Sequence, residues 1–317
     1  MAQFPIDPKV AAAKAGNTGL LAWSQGDIEN RLGFKGGRYT SVNHTLAFLM
    51  GAVLTGILYA LMIFVFSHVP GLSRIATIYM RPTNQFAVIP ATLFFFGGIS
   101  ILLLKGRKLK FQERALALSA VPAEPEFVLN ETTAVTVLNR IHSLVDHPRN
   151  FVLLNRIDRA LSNFKNIGQV NDVSAILRAQ AENDEDQVAS SYTVVNGLVW
   201  AIPVLGFIGT VLGLSLAIGN FTSTLQAGGD ITMIRASLQK VTGGLATAFE
   251  STLVALTFTL ILQLVITFHQ KLEMAFLDEC NDYCHLHIVS KLRVTQRPAA
   301  SPAPAPSPAP TLAEAKS

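Results

Sequence analysis

The sequence predicts an all-α membrane protein, and two observations carry that prediction. The chain has 317 residues, of which 50% are hydrophobic and 15% are charged, whereas soluble domains are about one quarter charged. Charged residues are also excluded from windows of ~20 residues, the length that a helix needs to cross a bilayer. We therefore expect four transmembrane helices, with a helical cytoplasmic domain between the second and third. We expect the long third and fourth helices to extend into the cytoplasm.

The four windows define the membrane spans. Residues 44–68, 85–104 and 194–220 contain no Asp, Glu, Lys or Arg, and residues 241–268 contain one, Glu250. A soluble fold would have to bury four such helices in a single core. The segment before the first span, residues 1–43, is too long for a cleaved signal peptide, and we expect it to be cytoplasmic.

The orientation follows from the basic residues after the second span. The positive-inside rule places such a cluster in the cytoplasm, so we expect both termini and residues 105–193 to be cytoplasmic. The net charge of +4 reflects this topology, and no basic stripe interleaved with aromatic residues predicts a nucleic-acid partner. The cluster consists of Lys105, Arg107, Lys108, Lys110 and Arg114.

Amphipathic patterns predict helices in the cytoplasmic domain. Apolar residues recur at three- and four-residue steps in ETTAVTVLNRIHSLVDH and in NFVLLNRIDRALSNF. From Val170 the chain has no proline before Pro203, so we expect one long helix that runs from the cytoplasm into the third span.

The fourth span continues into a predicted cytoplasmic helix, residues 269–296, without Gly or Pro. The residues that we expect to face its core are Leu272, Phe276, Cys280 and Tyr283. The tail, residues 297–317, is rich in Pro and Ala and is predicted to be disordered.

The two cysteines, Cys280 and Cys284, lie four residues apart. Without a second pair of ligands this is a weak metal signature, so we expect a structural role for them. We predict no metal and no cofactor.

The third span presents small residues on one face. At 100° per residue, Pro203, Gly206, Thr210 and Gly213 lie on a common side, and Gly209 forms a small-xxx-small step with Gly213. Such a face lets helices approach closely in lipid. Helix packing is therefore the simplest interpretation of the glycines.

The fourth span carries polar residues in two directions. Thr252, Thr259 and Gln263 lie within about 20° of a common direction, whereas Glu250 points about 200° away from Thr252. Thr210 and Thr252 are both within ~5 Å of the predicted midplane. A single intramembrane threonine usually bonds its own i−4 carbonyl, but two at one depth indicate an ion or water pathway.

Glu250 has two interpretations. In the first it is hydrogen-bonded to a neighbouring helix or reaches the outer surface. In the second it is an intersubunit contact or a vestibule carboxylate on the ion pathway, because intramembrane acids are candidates for function.

The two spans resemble the signature helices of the MotA/TolQ/ExbB proton-channel family. IPVLGFIGTVLGL resembles the family pattern Gly-x-x-Gly-Thr-Val-x-Gly, and LATAFESTLVAL is similar to the frame Ala-x-x-x-Thr-x-x-x-Leu. The matching positions are Gly206, Gly209, Thr210, Val211 and Gly213 in the first, and Ala248, Thr252 and Leu256 in the second.

The resemblance implies a homopentamer in the bacterial inner membrane, with the third and fourth helices lining a central pore. Two copies of an ExbD/TolR/MotB-like single-span protein would thread this pore and supply an aspartate that faces Thr210 and Thr252. The family drives work with ion flow, usually the proton motive force, as a rotary motor. It implies no enzyme activity.

Two other functions stay open at this point. A proton-coupled secondary transporter would use Glu250 and would need internal repeats and broken helices. A membrane scaffold or sensor would bind a cytosolic protein through its helical stalk.

Overall fold

The computed structural model describes residues 21–68, 73–118, 120–122, 126–162, 170–226 and 231–293. Within these ranges the regular elements are helices, together with two isolated β-bridges, Leu21 with Val145 and Leu129 with Leu292. Short 3₁₀ turns cover Pro148–Asn150 and Val289–Lys291. In chain order the helices are α1 (Trp23–Gly26), α2 (Ile28–Arg31), α3 (His44–His68), α4 (Ser73–Met80), α5 (Pro82–Leu116), α6 (Glu131–Leu144), α7 (Val152–Ser162), α8 (Val170–Ser191), α9 (Thr193–Gln226) and α10 (Ile231–His287).

Within the described ranges, four stretches are long and apolar enough to cross a membrane, which confirms the predicted all-α class with four membrane helices. They are His44–Val65, Gln85–Leu116, Asp172–Gly219 and Ile231–Lys291. The first two lie in α3 and α5, the third begins in α8 and continues into α9, and the fourth contains α10. Helix α5 ends, and α10 leaves the predicted fourth span, at the same end of the bundle. We call this the domain end.

The helix ends follow local chemistry. Arg81 is extended, and Pro82 occupies the first turn of α5, a position where the missing N–H of proline costs nothing. From Leu245 to His287 the sequence has neither Gly nor Pro, so α10 continues as one helix far beyond the predicted span.

The membrane helices pack around α5. The antiparallel pair α9 and α10 shares the most extensive contact, α5 lies against both, and α3 packs on α5. A Cβ added at Gly51 of α3 would lie 2.6 Å from the backbone N of Gly97, so these two helices touch through their backbones. The rings of Phe95 and Phe258 stack with centroids 4.4 Å apart and join α5 to α10.

The domain end is covered by the N-terminal segment, α6, α7, α8 and the extension of α10. The Trp23 ring lies against Phe111 and Phe151, with centroids 5.7 Å and 5.3 Å away. Helix α6 begins with a capping box in which Asn130 and Thr133 bond each other's backbone N–H groups, as is typical of stable helix starts.

Buried ion pairs connect this domain to α5. The Lys108 ammonium lies 2.6 Å from the Glu29 carboxylate and 3.6 Å from that of Asp27. Burial raises the pKa of Asp27, and the neighbouring Lys108 opposes this rise. Another buried pair lies within the domain itself, where Arg156 and Asp184 are 2.7 Å apart and join α7 to α8.

The long helix expected from Val170 is present as the stretch Asp172–Gly219, in which a single non-helical residue, Tyr192, separates α8 from α9. The Tyr192 N–H donates to the carbonyl of Ala189 at 3.2 Å, a three-residue step that tightens the backbone between α8 and α9. Its ring is buried beneath the Lys105 ammonium, 4.2 Å from the ring centroid. The tertiary contact with Lys105 thus accompanies a break that helix propensity does not predict.

The prediction of which residues form the buried face of the α10 extension is partly wrong. Phe276 and Cys280 are buried and Tyr283 is half-buried, but Leu272 is exposed. Steps of four residues rotate by about 40° each, so Leu272 lies about 80° from Cys280. The predicted tail at 297–317 and residues 1–20 of the N-terminal segment lie outside the described residues.

Candidate functional site

Two threonine hydroxyls meet between α9 and α10. The Oγ1 atoms of Thr210 and Thr252 are in hydrogen-bond contact. Thr210 Oγ1 also lies 3.1 Å from the carbonyl oxygen of Gly206 and 3.3 Å from that of Ala248. Thr252 Oγ1 lies 3.1 Å from the same Gly206 carbonyl. The two helices therefore share one network across their seam.

This network has more acceptors than protons. Each hydroxyl supplies one O–H donor, while two hydroxyl oxygens and two carbonyl oxygens can accept. More than one arrangement of the two protons therefore satisfies the geometry. Both threonines are only half-buried, so the network lies at the edge of the helix pair rather than in its interior.

Glycines on α9 allow this approach. A Cβ added at Gly206 would lie 2.6 Å from the Cβ of Ala255, and one at Gly213 would lie 3.1 Å from the Cβ of Ala248. A Cβ at Gly209 would lie 2.7 Å from both the Cβ of Ala87 and the Oγ of Ser251.

Close packing continues on both sides of the threonines. Ala217 lies against Gly244, where an added Cβ would be 2.7 Å from the Ala217 Cβ. Pro203 is half-buried inside α9, three residues before Gly206.

Glu250 lies on a different side of α10. Its carboxylate Oε2 is 3.0 Å from Nη1 of Arg81, the residue that precedes α5. The ion pair connects the fourth membrane helix to the start of the second. The structure thus places Glu250 in contact with a neighbouring helix and away from Thr252.

Thr259 and Gln263 lie farther along α10 toward the domain end. Thr259 donates to the carbonyl of Ala255 within its own helix at 2.9 Å, and the Gln263 side chain is exposed. They are about 10 Å and 16 Å from Thr252 along the helix axis. The structure does not bring them to the threonine pair.

Large apolar side chains fill much of the bundle interior on the domain side of the threonines, where Thr92 and Ser100 are also buried. Phe95 stacks on Phe258, and the side chains of Leu262 and Ile266 have no exposed surface. Large apolar side chains beside the pair, Phe207 and Leu253 among them, face outward. A polar pathway through Thr210 and Thr252 would therefore follow the outer face of α9 and α10.

Comparison with known protein families matches residues 146–281 to the MotA/TolQ/ExbB proton channel family. The match contains both threonines and the seam that joins them. Residues 146–281 are similar to this proton channel family. With four apolar helices among the residues that the structure describes, the chain is a multi-pass membrane protein, and the matched segment supports a protein of the proton-channel type. Comparisons with curated proteins and with solved structures gave no match.

The range matched by the family ends between the two cysteines: Cys280 lies inside it, and Cys284 lies three residues beyond its end. Cys280 and Cys284 are buried free thiols. Among the residues that the structure describes, no three His, Cys, Asp or Glu side chains are grouped closely enough to hold a metal ion.

The sequence does not predict the partners of two carboxylates on α10, Glu250 and Glu273, which pair with Arg81 and Lys105. No partner is predicted for Arg81, although its place directly before Pro82 puts it at the start of a membrane helix. Lys105 is predicted only as part of the basic cluster after the second span, but its ammonium lies 3.1 Å from Glu273 in a buried pair. Opposite charges at one depth on neighbouring helices would have been the available signal.

Proposed function

We propose that this chain is the pore-forming subunit of an ion-driven rotary motor in the bacterial inner membrane, with both termini in the cytoplasm. Five copies surround two copies of a single-span, ExbD/TolR/MotB-like partner. The hydroxyl contact between Thr210 and Thr252 is the observation that carries the proposal. It puts exchangeable protons at one depth, on two helices of a proton-channel domain.

The exposed apolar face supports assembly around a pore. Phe207 and Val211 on α9, and Leu253 and Leu256 on α10, expose half or more of their surface. Side chains of this kind face lipid or another copy of the chain. The half-buried threonines beside them then border the central space.

The partner supplies the group that titrates. Threonine hydroxyls donate and accept hydrogen bonds but do not ionise near neutral pH. Glu250, the only carboxylate within the predicted spans, is paired with Arg81 on another side of α10. An aspartate on the partner therefore carries the ion, and one charge crossing 100 mV releases about 2.3 kcal/mol.

The first test removes the hydroxyls. Thr210→Val and Thr252→Val keep the side-chain shape, so the assembled complex forms but ion flux falls at least tenfold. The complex is purified from native membranes through a tag on this chain and reconstituted in vesicles. Proton uptake is followed with a pH-sensitive dye under an imposed potential.

Thr257→Val is the matched control, because Thr257 lies on the same helix, is exposed, and bonds only the carbonyl of Leu253 at 2.8 Å. Its flux should equal that of the unmodified complex. Full flux in both Thr210→Val and Thr252→Val would refute the pore assignment. If the purified complex contained no single-span protein, the proposal of a single-span partner would be refuted.

A further inference from the structure

A third hydroxyl lies beside the two threonines. Ser251 precedes Thr252 on α10, and its side chain is 2% exposed. A Cβ added at Gly209 would lie 2.7 Å from both the Oγ of Ser251 and the Cβ of Ala87, so α9 and α5 enclose this hydroxyl against its own helix. Ser251 Oγ donates to the backbone carbonyl of Ala248 at 2.9 Å.

The Ala248 carbonyl therefore has two hydroxyl groups within reach. Thr210 Oγ1 lies 3.3 Å from the same oxygen, across the seam. A carbonyl oxygen has two lone pairs, and inside an α-helix one of them accepts the N–H of the residue four positions later, here Thr252. Ser251 occupies the second lone pair at the shorter distance, so the Thr210 hydroxyl is left without a place on this carbonyl.

The same count applies to the carbonyl of Gly206 on α9. One of its lone pairs accepts the helical N–H of Thr210, and its oxygen lies 3.1 Å from the Oγ1 atoms of both Thr210 and Thr252. It can accept one of the two threonine protons. The other proton then bonds the neighbouring threonine oxygen, because the two hydroxyls are in contact.

Two proton arrangements satisfy this count. In one, Thr210 donates to the Gly206 carbonyl and Thr252 donates to Thr210; in the other, Thr252 donates to the carbonyl and Thr210 donates to Thr252. Each arrangement leaves one proton between the threonines, and a hydroxyl hydrogen rotates to suit its acceptor. Without the Ser251 hydroxyl, Thr210 could donate to Ala248 while Thr252 donated to Gly206, and both protons would be held by backbone carbonyls.

We propose that Ser251 is a positioning residue for ion transfer: by occupying the Ala248 carbonyl, it keeps one proton on the bond between Thr210 and Thr252. The role of Ser251 rests on the proposed function, in which the threonine pair faces the carboxyl group of the partner. That carboxyl group needs a donor when it is ionised and an acceptor when it is protonated. The two arrangements supply both from the same pair of hydroxyls.

The first test measures proton uptake by the purified complex in vesicles. Ser251→Ala removes the hydroxyl without adding volume and should lower the flux about fivefold, the factor expected for one neutral hydrogen bond. Ser251→Thr retains a hydroxyl that can bond the preceding turn and should retain the flux. Ser100→Ala is the matched control with unchanged flux, because Ser100 is a buried serine on α5 whose Oγ has no hydrogen-bond partner in the described part of the chain.

Ser251→Cys separates the hydrogen bond from packing. A thiol keeps nearly the shape of the hydroxyl group but is a weak donor, so the flux should fall as it does in Ser251→Ala. If Ser251 only filled the space beside Gly209, the cysteine variant would keep full flux and the larger threonine would be the damaging substitution. Thermal unfolding in detergent verifies that each variant is folded, with a midpoint lowered by about 2–4 °C for the loss of one hydrogen bond.

Full flux in Ser251→Ala or Ser251→Cys, together with an inactive Thr210→Val, would overturn the positioning role and leave the pore assignment intact. Equal losses in Ser251→Ala and Ser100→Ala would overturn it as well. Full flux in both Thr210→Val and Thr252→Val would refute the proposed function itself, so the two failures are distinguishable. The cysteine variant decides even where Ser251→Thr fails to assemble.

Discussion

A threonine in a membrane helix has a hydrogen-bond partner within its own backbone, so its presence alone carries little information about function. Thr55, Thr92 and Thr257 each bond the carbonyl one turn back, at 2.8, 2.6 and 2.8 Å. Thr210 and Thr252 also bond across the seam between α9 and α10. That crossing contact distinguishes the pair from the other three and makes it the functional candidate.

At the same scale, Glu250 and Arg81 form an ion pair between α10 and the start of α5. Their side chains are 26% and 37% exposed, so solvent and head groups screen the attraction. We predict a coupling free energy of roughly 1 kcal/mol. The measurement is a double-mutant cycle with Arg81→Gln and Glu250→Gln, read from thermal unfolding of the detergent-solubilised protein.

The same variants separate structure from transport. If the pair is an interhelical contact, Glu250→Gln lowers stability slightly and retains most of the ion flux. Loss of flux with unchanged stability would place Glu250 on the ion pathway. That result would favour the vestibule interpretation or the transporter.

At the scale of elements, the close packing of α9 against α10 depends on glycines, which have no side chain to separate the two backbones. Gly206 and Gly213 lie against alanines of α10, and Gly244 of α10 lies against Ala217. In lipid, where no hydrophobic effect drives helices together, close backbone approach supplies the association energy. Larger residues on this face would separate the threonine hydroxyls as well as the helices.

Gly206→Ala should therefore destabilise the protein by about 1–3 kcal/mol, because the new methyl would lie 2.6 Å from the Cβ of Ala255. Gly219→Ala on the same helix is the control, since an added Cβ there meets nothing within 4 Å. Thermal unfolding and the fraction of intact assembly are measured for both. Equal stability of the two variants would contradict the packing role of Gly206.

At the scale of the whole molecule, buried charge connects the membrane helices to the domain. The Lys105 ammonium on α5 lies 3.1 Å from Glu273 on α10, and both side chains are almost fully buried. Neither carboxylate oxygen accepts a hydrogen bond of normal geometry. Lys105 also donates to Ser191 at 2.7 Å, so the cluster includes the break between α8 and α9.

Glu273→Gln leaves the buried Lys105 without its carboxylate and should cost about 3–5 kcal/mol. The double variant Lys105→Met/Glu273→Met removes both charges and should recover most of that loss. Arg178→Gln serves as the control, because the Arg178–Glu182 pair is 84% and 67% exposed and contributes about 0.5 kcal/mol or less. All are compared by thermal unfolding of the full-length protein. A double variant as unstable as Glu273→Gln would mean that the attraction itself, rather than an uncompensated charge, dominates.

Features that depend on the solvent around each segment and on the helical period are predictable without a structure. Charge-free windows predicted four membrane helices because lipid excludes unpaired charge. The 100° rotation per residue separated Glu250 from Thr252 and put Thr210 on the glycine face. The signature in the third span indicated the family that the comparison then matched at residues 146–281.

Which charged groups meet depends on how the whole chain folds. The pairs Arg81–Glu250 and Lys105–Glu273 join residues 169 and 168 positions apart, and no local pattern specifies such a distance. The irregular residue at Tyr192, buried beneath Lys105, depends in the same way on segments that approach each other only after folding. Periodicity fixes the face of one helix, whereas the partner of that face is set by the packing of the whole chain.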